Sequence, residues 1–246
     1  LDLDGITLEP LASANAVLSN EEKEAGVALI DIGGGTTDLA IFKDGIIRHT
    51  AVIPFGGNVI TEDIKQGCSI MKRKAEMVKQ QFGSAVASES QENVVVSIPG
   101  LKGRAPREIT LRNLSSIIQA RMEEIIDLVN FEIKNSGFEK KLIGGIVVTG
   151  GGSQLKHITQ LFEYVTGMDT RVGYPTEHLS NSNNELIKSP MYATGIGLVL
   201  KGIEELKKSD TRPAENGAVK THSKKARGSF FDSILKIGQD FFTEKD

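Results

Sequence analysis

The sequence predicts an α/β fold, and three observations carry that prediction. The stretch Asp31-Ile32-Gly33-Gly34-Gly35-Thr36-Thr37-Asp38 joins two apolar runs at 27–30 and 39–42, which reads as two short strands around a glycine turn. Ile146-Val147-Val148-Thr149 is a β-branched strand followed by Gly150-Gly151-Gly152-Ser153 and a helical pattern of Leu155, Ile158, Leu161, Phe162 and Val165. Between them, residues 114–133 place Leu114, Ile117, Ile118, Met122, Ile125, Ile126, Leu128, Val129 and Ile133 at helical spacing, opposite Arg121, Glu123, Glu124, Asp127 and Glu132.

The first turn carries the clearest chemistry. Glycine has no side chain to keep a ligand from the backbone, and successive N–H groups in such a turn form a concavity suited to phosphate. An aspartate just before it suits the hydrated metal that accompanies a nucleoside triphosphate. An ordinary hairpin with flexible glycines is the competing reading, and the flanking acids and threonines count against it. The second turn, strand to glycines to helix, is a common way to set a nucleotide against backbone and a helix N-terminus. It lacks the G-x-G-x-x-G spacing of a dinucleotide site and the lysine of a P-loop.

Along the chain, the alanine-rich segment 11–18 is helical in character. The strands around the first turn follow, then a third strand at 46–53, and Phe55-Gly56-Gly57-Asn58 turns into a helix containing Ile60 and Ile64. Residues 72–81 are helical and charged, and 94–98 form a strand that ends at Pro99-Gly100. Strand and helix alternate again over 142–203, where Ala193-Thr194-Gly195-Ile196-Gly197 suits a tightly packed helix. From about 204 to 227 almost nothing is apolar, so a linker is expected.

The last segment regains a pattern. At about 100° per residue, Phe230, Phe231, Ile234, Leu235, Ile237, Phe241 and Phe242 share an arc about 160° wide. Lys220, Lys224, Lys225 and Arg227 lie just upstream. A long polar tether argues against docking onto the chain's own domain. The reading is an amphipathic helix in the surface of an anionic membrane, with a partner protein as the other candidate. One such helix binds weakly, so the tail also hints at self-assembly, which multiplies attachment points.

Composition sets outer bounds. The 246 residues allow one large domain or two small ones, and 39% hydrophobic content supports a core. A net charge of −3 gives no reason to expect nucleic-acid binding. Cys68 is the only cysteine, so no internal disulfide forms, which suits a reducing cytosol. No apolar run approaches the ~20 residues of a membrane span. The chain opens on Leu1 without leader features, so it is expected to begin partway through a longer protein.

Together these motifs resemble the actin, heat-shock-70 and sugar-kinase ATPase superfamily. Residues 31–38 resemble its second phosphate motif and 149–153 its adenosine motif. Leu8-Glu9-Pro10-Leu11-Ala12-Ser13-Ala14 and Pro190-Met191-Tyr192-Ala193-Thr194-Gly195 resemble its two connecting helices, and Ala75-Glu76-Met77-Val78-Lys79 the helix flanking the base in bacterial actins. In their order, and with the amphipathic end, they are similar to the FtsA family of bacterial division proteins over nearly the whole chain. Nothing matches that family's N-terminal half, so a C-terminal portion is expected.

The resemblance implies an actin-like, ribonuclease H-like half with a mixed five-stranded sheet. A nucleotide-binding subdomain would comprise 1–57 and 142–203, an inserted α/β partner-binding subdomain 58–141, a linker 204–227 and a membrane-targeting helix 228–246. It implies ATP and Mg2+ as cofactors. Asp31 would hold the metal through water, and Gly33, Gly34, Gly35, Thr36 and Thr37 would wrap the phosphates. Asp38 would pin the hairpin. Gly151, Gly152 and Ser153 would offer backbone to adenosine, with Glu76 and Lys79 lining base and ribose. For Glu76 and Lys79 an i,i+3 surface ion pair is the alternative. Glu9 would orient an attacking water or simply favour a helix N-terminus. Arg121, with Glu124 one turn on, would meet the acidic C-terminal peptide of the tubulin-like division protein FtsZ, or the two would only pair with each other. Lys72-Arg73-Lys74 adds basic surface or is merely solvated.

The implied function is a polymerising, ATP-binding scaffold, at most a slow ATPase. It would link FtsZ filaments to the cytoplasmic face of the inner membrane at the division site. A heat-shock-70 chaperone would need a peptide-binding β domain, and a sugar kinase would need an acceptor site and no tail. An actin-like scaffold of a pilus-assembly complex is the nearest rival.

Overall fold

The computed structural model describes residues 5–100, 105–176 and 185–210. Fourteen elements follow in chain order: α1 (Glu9–Val17), α2 (Asn20–Ala25), β1 (Val27–Ile32), β2 (Thr37–Lys43), β3 (Ile46–Ile53), α3 (Gly57–Cys68), α4 (Lys72–Phe82), β4 (Val95–Ile98), β5 (Arg107–Thr110), α5 (Leu111–Asn135), β6 (Ile146–Thr149), α6 (Ile158–Thr166), β7 (Thr170–Val172) and α7 (Ala193–Asp210).

Five strands make one mixed sheet in the order β3-β2-β1-β6-β7, as expected, and β4 pairs with β5 in a separate hairpin. β1, β2 and β3 form an antiparallel meander, while β6 lies parallel to β1 and β7 parallel to β6. β1 is central, and all six of its residues are buried. Alternate β1 side chains enter opposite layers. Ala28, Ile30 and Ile32 join a core with Ile60 and Ile64 of α3, Leu114, Ile118, Met122 and Ile125 of α5, and Phe162 of α6. Val27 and Leu29 join a second core with Ala14, Ala16 and Val17 of α1 and Ala193 of α7. Burial on both faces explains why this strand reads as an unbroken apolar run.

α5 spans 25 residues, or roughly 37 Å. The Thr110 hydroxyl accepts from the Asn113 amide at its start. Its buried stripe includes Leu114, Ile118, Met122, Ile125, Val129 and Ile133, whereas Leu128 lies largely in solvent. α3 and α5, which fall almost wholly within 58–141, pack into the sheet's own core.

Three local expectations are corrected. Residues before β1 hold two helices rather than one: α2 is set by a capping box between Ser19 and Glu22, an S-x-x-E signal present in the sequence. The helix after the second glycine turn begins at Ile158, not Leu155; a short 3₁₀ turn over Gly151–Gln154 intervenes, and His157 at φ 61° separates the two. α7 continues to Asp210, past the expected start of the linker, because the lysines and glutamates there are good helix formers. The expected tail helix at 228–246 lies outside the described residues.

α7 and α1 touch at their backbones. A Cβ on Gly197 would fall inside the van der Waals envelope of the Ala12 carbonyl, so only glycine allows this approach. Gly197→Ala is therefore expected to destabilise the chain by about 1–3 kcal/mol, read as a lower midpoint in urea unfolding. An unchanged midpoint would show that the two helices do not make this contact.

Candidate functional site

Both glycine turns leave the same end of the sheet. In the β1–β6 register Asp31 stands beside Thr149, and across β2 it stands beside Asp38, so the chain enters one turn at Gly33 and the other at Gly150 side by side. The two turns border a cleft of about 600 Å³. Glu9, Asp31, Gly33, Gly34, Glu76, Lys79, Gly151 and Gly152 all line it.

Asp31 is 7% exposed. The Ser13 hydroxyl donates to its Oδ2 at 2.7 Å, and Thr194 Oγ1 lies 2.9 Å from Ser13 Oγ and 3.4 Å from the same carboxylate oxygen. No lysine or arginine pairs with it among the described residues. Burial pushes its pKa up, the Ser13 hydrogen bond works against that, and the Asp38 charge adds to it. Glu9, in the first turn of α1, is raised by burial and then by the charges of Asp38 and Asp31. Glu9 and Asp31 line the cleft, and Asp38 pairs with Asp31 in the sheet. Among the described residues no group of three acidic, histidine or cysteine side chains could hold a metal ion.

The glycines divide by what confines them. At Gly150 (φ 82°) a Cβ would strike Asp31, and at Gly152 it would strike Ile32, so packing accounts for both. Packing does not account for Gly34 or Gly151. A Cβ on Gly34 would come no nearer than 3.5 Å to Asn58, and one on Gly151 would meet nothing within 4 Å. Side chains at those two positions would enter the cleft, as expected where a ligand's phosphates or base approach backbone.

Other expected site residues serve the turns rather than the cleft. Gly33 N–H donates to the Thr36 carbonyl at 2.9 Å and closes the first turn. Thr36 Oγ1 donates to Asp38 Oδ2 at 3.2 Å, and the buried Thr37 donates to the Phe55 carbonyl at 2.8 Å. Ser153, also buried, donates to the Gly150 carbonyl at 2.8 Å. Gly35, Thr36, Thr37 and Ser153 are not in the cleft wall.

On the opposite wall, Lys79 pairs with Glu76 Oε2 at 2.8 Å. Burial alone would raise the Glu76 carboxyl, but hydrogen bonds from Lys79 and Thr61, and the lysine charge, bring it below the usual range. Gly57, Asn58, Gln80 and Lys156 also line the cleft and were not singled out in the sequence. The Gly56-Gly57 pair before α3 was the available signal for the first two.

Arg121 and Glu124 lie away from the cleft. Arg121 grips Asp63 of α3 through Nε at 2.6 Å and Nη2 at 3.0 Å, and its Nη1 donates to Glu124 at 2.6 Å. Lys72 pairs with Glu62 at 2.8 Å.

A carboxyl whose pKa is higher folded than unfolded makes folding favour the protonated form. For Asp31 the resulting cost is full above its raised pKa and vanishes below the ordinary value of 3.8. Asp31→Asn should therefore raise the melting temperature of the ligand-free chain at pH 7 in EDTA, with the gap to wild type closing as pH falls toward 3.8. A variant that melts lower at neutral pH would show that Asp31 is not a destabilising buried charge.

The model of the family described as cell division protein FtsA matches residues 28–197. The cell division protein FtsA of Pseudomonas aeruginosa is 40% identical over 205 residues, covering 83% of this chain and 49% of the relative. That of Neisseria meningitidis is 40% identical over 220 residues, covering 89% of this chain and 52% of the relative. The chain thus spans about half the length of the curated relatives it matches. Among solved structures, MreB5 of Spiroplasma citri bound to ADP aligns with a TM-score of 0.66 at 24% identity, covering 83% of this chain and 61% of that one. At that identity the likeness shows an actin-like α/β fold and no more. The match to the family model over most of the sequence places this chain in the FtsA family of cell division proteins.

Proposed function

We propose that this chain carries the ATP site and the membrane tether of a polymerising division scaffold, one that joins FtsZ filaments to the cytoplasmic face of the inner membrane. The observation that supports it most is the convergence of two glycine turns and the unpaired Asp31 on one cleft. Bound Mg2+-ATP would bring a cation to offset the Asp31 charge and a triphosphate for the backbone at Gly34. Gly151 and Gly152 would lie against adenosine, with Glu76 facing the ribose. Glu9 would orient a water at the open side. Hydrolysis would be at most slow, and the nucleotide would act mainly on assembly.

The tether would be the amphipathic segment with Phe230, Phe231, Ile234, Leu235, Ile237, Phe241 and Phe242, approached through Lys220, Lys224, Lys225 and Arg227. No helix among the described residues is long and apolar enough to cross a membrane. Family membership supports docking of the FtsZ C-terminal peptide on the 58–141 region. Arg121 is engaged by Asp63 and Glu124 through three of its five N–H groups, so an acidic peptide would meet the remaining two or exchange those partners.

Two experiments test this reading. Mg2+-ATP should raise the melting temperature of the chain, and Gly151→Val, which fills the cleft, should remove most of that rise. An equal rise in the variant would place the nucleotide elsewhere. Separately, a labelled FtsZ C-terminal peptide should pellet with phosphatidylglycerol vesicles only when the intact chain is present. Ending the chain at Lys208 should leave both chain and peptide in the supernatant. Equal pelleting of the shortened chain would remove the tether, and pelleting of chain without peptide would remove the FtsZ link.

A further inference from the structure

An ammonium group has three N–H donors, and those of Lys79 have three protein acceptors. Its Nζ lies 2.8 Å from the Gly57 carbonyl, 2.8 Å from Thr61 Oγ1 and 2.8 Å from Glu76 Oε2. The side chain is 11% exposed. Although Lys79 borders the cleft, it has no donor left for a ligand. Glu76 differs: its side chain is 36% exposed, and Oε1 is held only by the Gln80 amide at 2.8 Å.

The Gly57 carbonyl sits at a junction. Gly57 N–H donates to the Gly33 carbonyl at 2.9 Å, and Asn58 N–H donates to the Gly34 carbonyl at 2.8 Å. These are among the first amides of α3, which have no partner within the helix. They are spent on the first glycine turn, and Lys79 holds the Gly57 carbonyl, whose peptide carries the Asn58 N–H. Thr61, 1% exposed, completes the link: its hydroxyl oxygen lies 3.0 Å from the Gly57 carbonyl and beside Glu76 Oε2, and its single proton serves one of the two.

We propose that Lys79 is a positioning residue for the first glycine turn, acting through the Gly57 peptide, and is not a contact to base or ribose. The inference rests on the nucleotide reading of the cleft and divides the pair: Glu76 faces the nucleoside, and Lys79 sets the shape of the phosphate turn.

Tripolyphosphate separates the two roles, because it has neither base nor sugar. Wild-type chain should bind Mg2+-ATP and Mg2+-tripolyphosphate in calorimetry. Lys79→Met, which keeps the stem and removes the donors, should weaken both by a similar factor, at least about tenfold for a lost charged hydrogen bond. In the ligand-free variant the Gly57 and Asn58 amides should exchange with solvent faster, since the Gly57 carbonyl beside them is no longer held. A variant that loses ATP but keeps tripolyphosphate within about twofold would make Lys79 a direct contact and overturn the proposal. So would unchanged exchange at Gly57 and Asn58. If wild type binds neither ligand, the nucleotide reading fails, and the exchange data still decide the positioning role. Where Lys79→Met does not fold, Lys79→Gln carries the same comparisons.

Discussion

The parallel pairing of β1 with β6 is the constraint on which the site depends. Parallel neighbours end at the same edge of a sheet, so two glycine turns more than a hundred residues apart in sequence emerge together. The long crossover between them is filled by α3, α4, the β4–β5 hairpin and α5. Its helices cover one face of the sheet, while α1 and α7 cover the other. With both faces sealed, a one-residue slip of β1 against β6 would exchange the two cores and separate Asp31 from Thr149. The hydrophobic layers thereby hold the register that aligns the turns.

Against that background Asp31 is a cost. It is buried, receives hydroxyl hydrogen bonds and has no cationic partner among the described residues, while burial and then the Asp38 charge raise its pKa. A residue chosen for stability alone would not be ionised there. The hydrogen bonds from Ser13 on α1 and Thr194 on α7 show how the fold tolerates it, with both flanking helices turned toward the same oxygen. Stability given up at a functional centre and recovered in the surrounding core is a recurrent pattern.

Much of this was legible in the sequence because periodicity and punctuation agreed there. The runs at 27–30, 39–42 and 146–149 are apolar or β-branched with glycine within a few residues of each end point, and they became β1, β2 and β6. The α5 stripe followed from helical spacing, although Leu128 did not belong to the buried face, because a contact depends on what lies opposite. α2 was missed despite its capping box, since five of its six residues are charged or polar and give no hydrophobic pattern to notice. Within the site, glycine positions could be read, but their reasons could not: Gly150 and Gly152 answer to packing, Gly34 and Gly151 to the cleft. Ser13, Asn58 and Thr61 carry ordinary side chains whose roles arise only from contacts across the fold.

The same geometry bears on Arg121. α3 begins at the first glycine turn, and Asp63 lies five residues beyond Asn58, roughly 8 Å along the axis. Arg121 holds Asp63 with two parallel hydrogen bonds, the geometry in which an ion pair fixes orientation as well as charge. It thus pins α3 to α5, and α3 in turn presents Gly57 and Asn58 to the turn. Loss of Arg121 leaves the Asp63 carboxylate without its partner and frees the helix that shapes the cleft. A binding defect in an Arg121 variant is therefore not evidence of direct contact with a peptide unless Asp63→Asn, which loosens α3 while leaving the guanidinium free, binds the peptide normally. The ion pairs occupy three of the five Arg121 N–H groups, so a docking role has to be separated from this structural one by comparing the two variants.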